Sequence, residues 1–564
     1  MVLPTPNASI RLLLVVLASL LLAHRPDSSL SAEPFELSES YPADGSDSMP
    51  VSIAVQLRFS EPVEADTLTS IELFRVDDSG GRVKVEIRPA TDLTNASITL
   101  VPERYLSPFS RYELIGDQRL KAKGDHAFSP FNVSFRTGEG ISETQRGLMF
   151  SKETFDRNRS MTTVSFGPDR RLYAADAFGN LVRWEIDDRG RPEKRTTLLS
   201  DRSESRQYID LEWDPEATAD NLIVWVSYGE RTNYEEERRF FTGTIARLTL
   251  GEEIVEEIVV KGLPHGREKQ GGFETLPHQP NGLVFRDGYL YQSIGSTSSS
   301  GGPPNWGIPE QRLSACIVKI DYRNINSPLD VHPLRGYDPI NDVGTLQIFA
   351  TGVRNALEIV SHSNGNLYTA VNLNDRRGPA DGVPDDPDIA GDQNLLIEQT
   401  TPDQESLLLL REGRHYGFPN PMRGQYVLGG GNPTESEDPF EISDYPVGTY
   451  PEPGFAPELM YPIWKYGGTS PNGMIEYLPS ESHPLSHALI CCFYSAGDIA
   501  VMPLDATGLP NAVEKLRGRE DKLQFNGPLD ITMDPETGII YVADFGTQNK
   551  FGSDGSLCLL RPMP

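Results

Sequence analysis

A short strand-turn-strand unit recurs six times between residues 164 and 546. Each copy alternates apolar and polar residues, is rich in β-branched and aromatic side chains, and is bounded by Gly, Pro, Asn or Asp. A single copy exposes apolar strand faces that only a neighbouring copy can cover. The recurrence therefore predicts a six-bladed β-propeller, a closed ring of sheets with loops gathered at its two ends. The copies occupy residues 164–187, 208–228, 281–295, 365–372, 474–505 and 529–546.

A different alternating pattern occupies residues 35–138 and predicts a small antiparallel β-sandwich. Turns rich in Gly, Asp and Pro separate its strand-like runs at residues 51–60, 70–76 and 96–102. The segment also resembles the bacterial Ig-like domains in its PADG, FSEPV and FRTG motifs, at residues 42–45, 59–63 and 135–138. Modules of that family serve as spacers or adhesive elements, so the resemblance implies no catalysis here. The expected fold class is all-β, with this sandwich followed by the propeller over residues 139–564.

Residues 1–32 have the pattern of a secretory signal. Arg11 precedes an apolar run at residues 12–23, and small residues follow near Ser31 and Ala32. The run is too short to span a bilayer. We expect a cleaved signal peptide and a mature protein that is secreted or periplasmic, with no integral membrane segment. The alternative, an uncleaved anchor, stays open because flanking residues could lengthen the run.

The charge balance restricts the class of ligand. The chain has 81 acidic and 51 basic residues, a formal net charge of −30. Nucleic-acid surfaces need clustered Lys and Arg, so we expect no nucleic-acid partner. A neutral or cationic small molecule, or a metal ion, suits this charge better.

Four cysteines in 564 residues do not make a disulfide scaffold. Cys491 and Cys492 are adjacent in an apolar run and should point to opposite faces of one strand. Buried free thiols are one interpretation of the four, and a single bridge in an oxidising compartment is the other.

Three residues next to the third and fourth copies could carry chemistry. His278 opens the third copy, and an imidazole can accept a proton near neutral pH. Arg354 and Asn355 could bind a carboxylate or a carbonyl oxygen through their guanidinium and amide groups. Structural alternatives exist for these positions. The histidine could hydrogen-bond the turn at the blade entry, and the arginine could join two blades through backbone carbonyls.

An acidic loop follows the fourth copy, at residues 372–388. Asn372 and Asp375 are among its oxygen donors, the ligand type that calcium prefers. The alternative is an acidic loop that is merely solvated.

The region from residue 139 to the end resembles the glucose and sorbosone dehydrogenases, soluble six-bladed propellers whose best-known members bind pyrroloquinoline quinone and calcium. The matching stretches agree in order and approximate spacing. They are LEWDPEATADNLIVWVSY, HQPNGLVFRDGYLYQSIGS with RLSACIVKID, IFATGVRNALEI, and ESLLLLREGRHYGFPN.

The resemblance implies a site. His278 would be the base that takes the hydroxyl proton of a sugar or polyol while hydride passes to the quinone. Arg354 and Asn355 would contact the cofactor. The implied metal lies near the loop with Asn372 and Asp375, and Glu405 is either a ligand or a structural acceptor. Lys465 is a candidate for a further cation at the quinone.

The chain also departs from the family pattern. Ser296 stands where the family has the aspartate that orients the histidine, and the late lysine of the fifth blade and the arginines opening the last blade are missing. Two alternatives to the oxidoreductase stay open. One is a non-catalytic propeller that binds a carbohydrate or a protein, and the other is a calcium-dependent lactonase. The oligomeric state, the sugar and the electron acceptor are left open by the sequence.

Overall fold

The computed structural model describes residues 35–563 with interruptions. The segments outside the description are 50–54, 77–80, 90–95, 103–105, 107–109, 124–127, 139–148, 201–205, 231–239, 266–267, 271–272, 276–277, 300, 302–308, 334–343, 373–378, 382–395, 399–404, 427–447, 449–451, 457–458, 464–468, 482, 506–507, 511–512, 519–522 and 548–553. The expected signal peptide and two of the candidate site residues, Asp375 and Lys465, lie outside the described residues.

The first unit is the β-sandwich that the alternating pattern predicts. Its two sheets have the strand orders β1-β3-β7-β6 and β2-β9-β8-β4-β5. In β3, Val55, Leu57 and Phe59 are buried and the residues between them are exposed, so one face meets the core shared by both sheets. The strands are β1 (Leu37–Tyr41), β2 (Ser46–Met49), β3 (Val55–Phe59), β4 (Ile71–Val76), β5 (Arg82–Val85), β6 (Ile87–Pro89), β7 (Ser97–Pro102), β8 (Arg111–Gly116) and β9 (Phe131–Thr137).

The strands that follow form the blades of the propeller and two small hairpins. They are β10 (Met149–Arg157), β11 (Met161–Phe166), β12 (Leu172–Asp176), β13 (Asn180–Ile186), β14 (Pro192–Ser200), β15 (Arg206–Trp213), β16 (Leu222–Glu230), β17 (Gly243–Leu250), β18 (Ile254–Leu263), β19 (Glu268–Gln270), β20 (Phe273–Thr275), β21 (Pro280–Arg286), β22 (Tyr289–Ile294), β23 (Cys316–Ile320), β24 (Leu329–Asp330), β25 (Leu346–Thr351), β26 (Val360–Ser361), β27 (Leu367–Val371), β28 (Pro379–Asp381), β29 (Leu396–Glu398), β30 (Ser406–Leu410), β31 (Arg414–His415), β32 (Met460–Pro462), β33 (Pro471–Tyr477), β34 (Ala488–Phe493), β35 (Asp498–Met502), β36 (Glu514–Lys515), β37 (Pro528–Met533), β38 (Ile540–Asp544) and β39 (Ser556–Met563).

Helix is scarce among the described residues. It consists of short 3-10 turns at Ala65–Ser70, Tyr322–Asn324 and Pro421–Arg423. Within the described part of the chain, no helix has the length and apolar character needed to cross a membrane.

Six antiparallel sheets make up the blades. Blade 1 is β11-β12-β13-β14, blade 2 is β15-β16-β17-β18 with β24 at its edge, and blade 3 is β21-β22-β23-β25 with β31 at its edge. Blade 4 is β26-β27-β30-β32, blade 5 is β33-β34-β35-β36, and blade 6 is β37-β38-β39-β10. Two hairpins form separate small sheets: β19-β20 lies between β18 of blade 2 and β21 of blade 3 in the sequence, and β28-β29 lies between β27 and β30 of blade 4.

The ring is closed, which confirms the six-bladed propeller. The innermost strand of each blade contacts the innermost strand of the next, and that of blade 6 contacts that of blade 1. The outer strand of blade 6 is β10, from the start of the propeller, and it pairs with β39 from the end of the chain. This pairing joins the two ends of the ring within one sheet, so the backbone groups along that side of β39 are hydrogen-bonded.

All four cysteines are buried free thiols, so the alternative of a bridge is wrong. Cys491 packs in the core that blade 5 shares with blade 4, whereas Cys492 packs in the core shared with blade 6. Their side chains therefore point to opposite faces of β34, as the alternation along a strand requires.

Candidate functional site

The predicted residues of blades 3 and 4 lie at one end of the propeller. His278 comes two residues before β21, Gly295 follows β22 directly, and Arg354 comes three residues after β25. Because neighbouring strands of a blade are antiparallel, the start of β21 and the ends of β22 and β25 meet at the same end of the sheet. Backbone hydrogen bonds hold them together, from His278 N to Ser296 O (3.1 Å) and from Ser296 N to Arg354 O (2.6 Å).

The hydrogen bonds of Ser296 indicate which nitrogen of His278 carries the proton. The Ser296 hydroxyl donates to Ser298 O (2.9 Å) and lies 2.8 Å from His278 Nδ1. Since its one proton is used on Ser298, the hydroxyl accepts a hydrogen bond from Nδ1–H. Nε2 is then the acceptor nitrogen of the neutral ring, the atom through which His278 can take a proton.

The surroundings keep His278 neutral. Burial lowers the pKa of His278 well below its ordinary value, and the positive charge of Arg354 lowers it further. A neutral imidazole is the form that a general base requires.

Arg354 is a buried cation beside this imidazole. Its side chain is 7% exposed, and Nε donates to Ser299 O (2.9 Å). A hydrogen bond from the arginine to a backbone carbonyl is what the structural alternative for Arg354 predicts; here the carbonyl belongs to the loop that follows β22. The same loop therefore contacts both the imidazole and the guanidinium.

Asn355 lies close to His278, with Gly295 between them. Asn281 Nδ2 donates to Asn355 Oδ1 (2.9 Å) and to Ala356 O (2.9 Å), which joins blade 3 to blade 4. A Cβ added at Gly295 would lie 2.4 Å from His278 Cβ and 2.9 Å from Asn355 Oδ1. Gly295 therefore lets the histidine and the asparagine approach each other.

Replacing Gly295 with Ala should displace His278 and lower stability by about 1–3 kcal/mol, the usual cost of overpacking. The measurement is chemical unfolding, together with the chemical shifts of the His278 ring. Gly251→Ala is the control, because the Cβ added there would meet a backbone oxygen at 3.4 Å and no closer atom. Equal behaviour of the two variants would contradict the packing role of Gly295.

The candidate calcium ligands lie at this end of the neighbouring blades. Asn372 N donates to Asn355 O (2.9 Å), and Asn372 Nδ2 donates to Pro471 O (3.3 Å). Glu405 is 8% exposed; Oε2 accepts from Thr469 N (2.7 Å) and from the Thr469 hydroxyl, and Oε1 accepts from Ser470 N (3.0 Å). These contacts make Glu405 an acceptor that holds the turn before β33.

The described residues do not form a metal site of the predicted kind. No group of three or more His, Cys, Asp or Glu among them is arranged to hold a metal ion. Asp375 and much of the acidic loop lie outside the described residues, so calcium at that loop stays a prediction.

Two partners of the site were missed at the sequence level. At position 296 the sequence was noted only for having a serine in place of the family's aspartate, yet the Ser296 hydroxyl contacts His278. The position of Ser296 directly after Gly295 could have indicated this contact. His265, 1% exposed, lies 3.1 Å through Nε2 from Gln279 Oε1, and Gln279 is the neighbour of His278. The sequence around His265 carries no pattern that marks this contact.

A second titratable cluster lines the inner strands. Asp210 Oδ2 accepts from Leu283 N (2.7 Å) and Asp530 Oδ2 accepts from Val164 N (2.7 Å), so each carboxylate joins its blade to the next. Burial raises the pKa of Asp210 to about 6 and that of Asp530 to about 7, the latter with repulsion from Asp210.

Two glutamates belong to the same cluster. Burial and repulsion from Asp210 raise the pKa of Glu212 to about 8. Burial raises the pKa of Glu358 well above its ordinary value, and repulsion from Asp210, Asp530 and Glu212 raises it further. The cluster therefore binds protons at neutral pH, where isolated carboxyl groups are ionised.

Comparison with known families identifies the first unit. Residues 31–137 match the sequence model of the bacterial Ig-like domain, which confirms the expectation for this segment. A comparison of the whole sequence with curated proteins finds no match.

Several solved structures are similar to the propeller region. A carbohydrate-active enzyme of family AA12 from Trichoderma reesei is 14% identical, with a TM-score of 0.47 over 73% of this chain and 96% of that one. The PQQ-bound aldose sugar dehydrogenase of Streptomyces coelicolor is 14% identical, with a TM-score of 0.42 over 73% and 98%. The PQQ domain of pyranose dehydrogenase from Coprinopsis cinerea is 12% identical, with a TM-score of 0.43 over 73% and 97%.

Proposed function

We propose that the chain is a secreted or periplasmic oxidoreductase that oxidises a hydroxyl group of an aldose or polyol, with pyrroloquinoline quinone as the hydride acceptor. The observation that carries the proposal is the contact of His278 Nδ1 with Ser296 Oγ (2.8 Å), which leaves Nε2 as the acceptor nitrogen. A base with one oriented acceptor nitrogen is what removal of a hydroxyl proton requires. The Ig-like domain at the start of the chain supports a location in the cell envelope.

Arg354 and Asn355 could hold one carboxylate or carbonyl group of such a compound. Arg354 provides a buried guanidinium whose planar fork suits carboxylate and carbonyl oxygens. The Asn355 amide lies at Gly295, where a side chain would fill the space between it and His278. When bound, the quinone would supply the two-electron acceptor for the substrate hydride.

The residues of this chain would then have separate tasks. Nε2 of His278 accepts the hydroxyl proton of the substrate. Arg354 binds an anionic group, and Asn355 helps to orient it by hydrogen bonding. An anion at Arg354 would also offset the positive charge that lowers the His278 pKa, which would make His278 a stronger base in the loaded protein.

Reconstitution tests the proposal. We expect the purified protein to bind pyrroloquinoline quinone, with a change in the quinone spectrum, and to reduce a dye in the presence of at least one aldose or polyol. Titrations with and without added calcium show separately whether a metal is needed. The absence of both quinone binding and dye reduction across a sugar panel would contradict the proposal and favour the non-catalytic propeller.

A further inference from the structure

The loop after β22 is buried and contacts both candidate site residues. Residues 296–299 are fully buried. Ser296 contacts the imidazole of His278, and Ser299 O accepts from Arg354 Nε. The position of this loop therefore sets the surroundings of both groups.

Glu310 holds this loop in place through hydrogen bonds. Its side chain is buried, and Oε1 accepts from Thr297 N (3.1 Å), Ser298 N (2.7 Å) and Ser298 Oγ (2.6 Å). Oε2 accepts from the Ser314 hydroxyl. A buried carboxylate that accepts several hydrogen bonds holds its donors firmly, because each donor would otherwise be left without a partner.

The segment that carries Glu310 is held in turn. Asn420, fully buried, donates through Nδ2 to Gln311 O (2.8 Å) and Ser314 O (3.2 Å). Arg423 donates to Ser314 O (2.6 Å) and Ala315 O (3.3 Å). Glu310 thus stands on a rigid base, which a positioning group needs.

We propose that Glu310 is a positioning residue for His278. Glu310 holds Ser298 so that the Ser298 carbonyl accepts a hydrogen bond from the Ser296 hydroxyl. The hydroxyl must then accept from Nδ1–H, and Nε2 is left as the acceptor. The catalytic meaning of this arrangement rests on the proposed function, whereas the tautomer can be measured without it.

The arrangement has a clear physical reason. Either nitrogen of a neutral imidazole can carry the proton, and the hydrogen bond to one nitrogen decides which does. A carboxylate beside Nδ1 would make that choice directly. Here Ser296 stands at the position beside Nδ1, and Glu310 acts through Ser298 and Ser296 instead.

The test measures which tautomer His278 adopts in the unliganded protein. The measurement is nitrogen NMR on protein labelled at its histidines, and the His278→Ala variant identifies the signal of His278. Wild type should show Nδ1–H. Glu310→Gln should show the same, because its amide oxygen can accept from Thr297 and Ser298 while its NH2 donates to Ser314. Glu310→Ala should move a major fraction to Nε2–H.

Two variants guard against a purely structural explanation. Asp534→Ala removes another buried carboxylate that holds a turn, through Glu536 N and the Thr537 hydroxyl, and should leave the tautomer unchanged. Ser296→Ala removes the hydroxyl that contacts Nδ1 of His278 and should shift the tautomer. This variant provides the test if Glu310→Ala does not fold. An unshifted tautomer in Glu310→Ala or Ser296→Ala, or an equal shift in Asp534→Ala, would overturn the proposal.

Turnover separates this inference from the proposed function. In the quinone-loaded protein, Glu310→Ala should lose about tenfold or more in kcat, with Glu310→Gln near wild type. If the tautomer shifts as expected but wild type has no turnover with any sugar, the positioning role stands and the proposed oxidoreductase function fails.

Discussion

Replacing His278 with Ala should lower kcat of the quinone-loaded protein by about 100-fold or more, the usual contribution of a general base. Quinone binding should change little, because the guanidinium of Arg354 and the amide of Asn355 remain. The physical reason is that Nε2 is the acceptor nitrogen, since Nδ1 is engaged with Ser296. The measurement is steady-state dye reduction together with a quinone titration of the variant.

His487→Ala is the matched control for this prediction. The His487 side chain is 58% exposed and lies in blade 5, where its Nδ1 contacts Glu476. It should leave kcat unchanged. Turnover of His278→Ala equal to wild type would reject His278 as the base, and loss of quinone binding in that variant would assign it to the cofactor instead.

Replacing Glu212 with Gln should stabilise the protein at alkaline pH by about 2–4 kcal/mol and change little at pH 4. The folded-state pKa of Glu212 is raised to about 8 from an ordinary 4.5. Folding therefore favours the protonated form: no stability is lost below pH 4.5, and stability falls as pH rises from 4.5 through 8. The magnitude follows from about 1.4 kcal/mol per pKa unit, reduced because the side chain is only partly buried beside the inner strands.

Urea unfolding at pH 4 and pH 8.5 measures this effect. Glu257→Gln is the control, because the Glu257 side chain in the same blade is 60% exposed and should give the same small change at both pH values. A gain for Glu212→Gln that is equal at both pH values would show that the charge of Glu212 is not the cause.

Local patterns predicted the architecture because its signals are local. The period-two alternation in β3 places Val55 and Leu57 on one face, which is enough to indicate a sandwich strand. The recurring unit indicates blades, and the need to cover apolar faces indicates a ring. The opposite orientation of Cys491 and Cys492 follows from the same alternation.

The sequence indicated which residues are candidates for the site, but it did not indicate their hydrogen-bond partners. His278, Arg354 and Asn355 were expected together; in the structure His278 and Asn355 flank Gly295, and Arg354 contacts Ser299 of the loop that follows it, while their roles stay predictions. The acceptor role of Ser296 was not expected, because a serine shows no preference for one partner in a sequence. Glu310 was missed for a related reason: its partners are backbone and hydroxyl groups of a loop twelve residues away, which no spacing rule connects.

The sequence alone determined a β-sandwich, a ring of six blades and which residues are candidates for the site at one end of the propeller. Alternation and repetition are properties of neighbouring residues, so they are visible in the sequence. The tertiary structure alone decided which nitrogen of His278 carries the proton and which carboxyl groups repel one another. Asp210, Glu358 and Asp530 come from different blades and interact only because ring closure brings the inner strands together. Burial then acts on all of them at once, and the carboxyl groups that meet across the ring cannot be identified from the residues one by one.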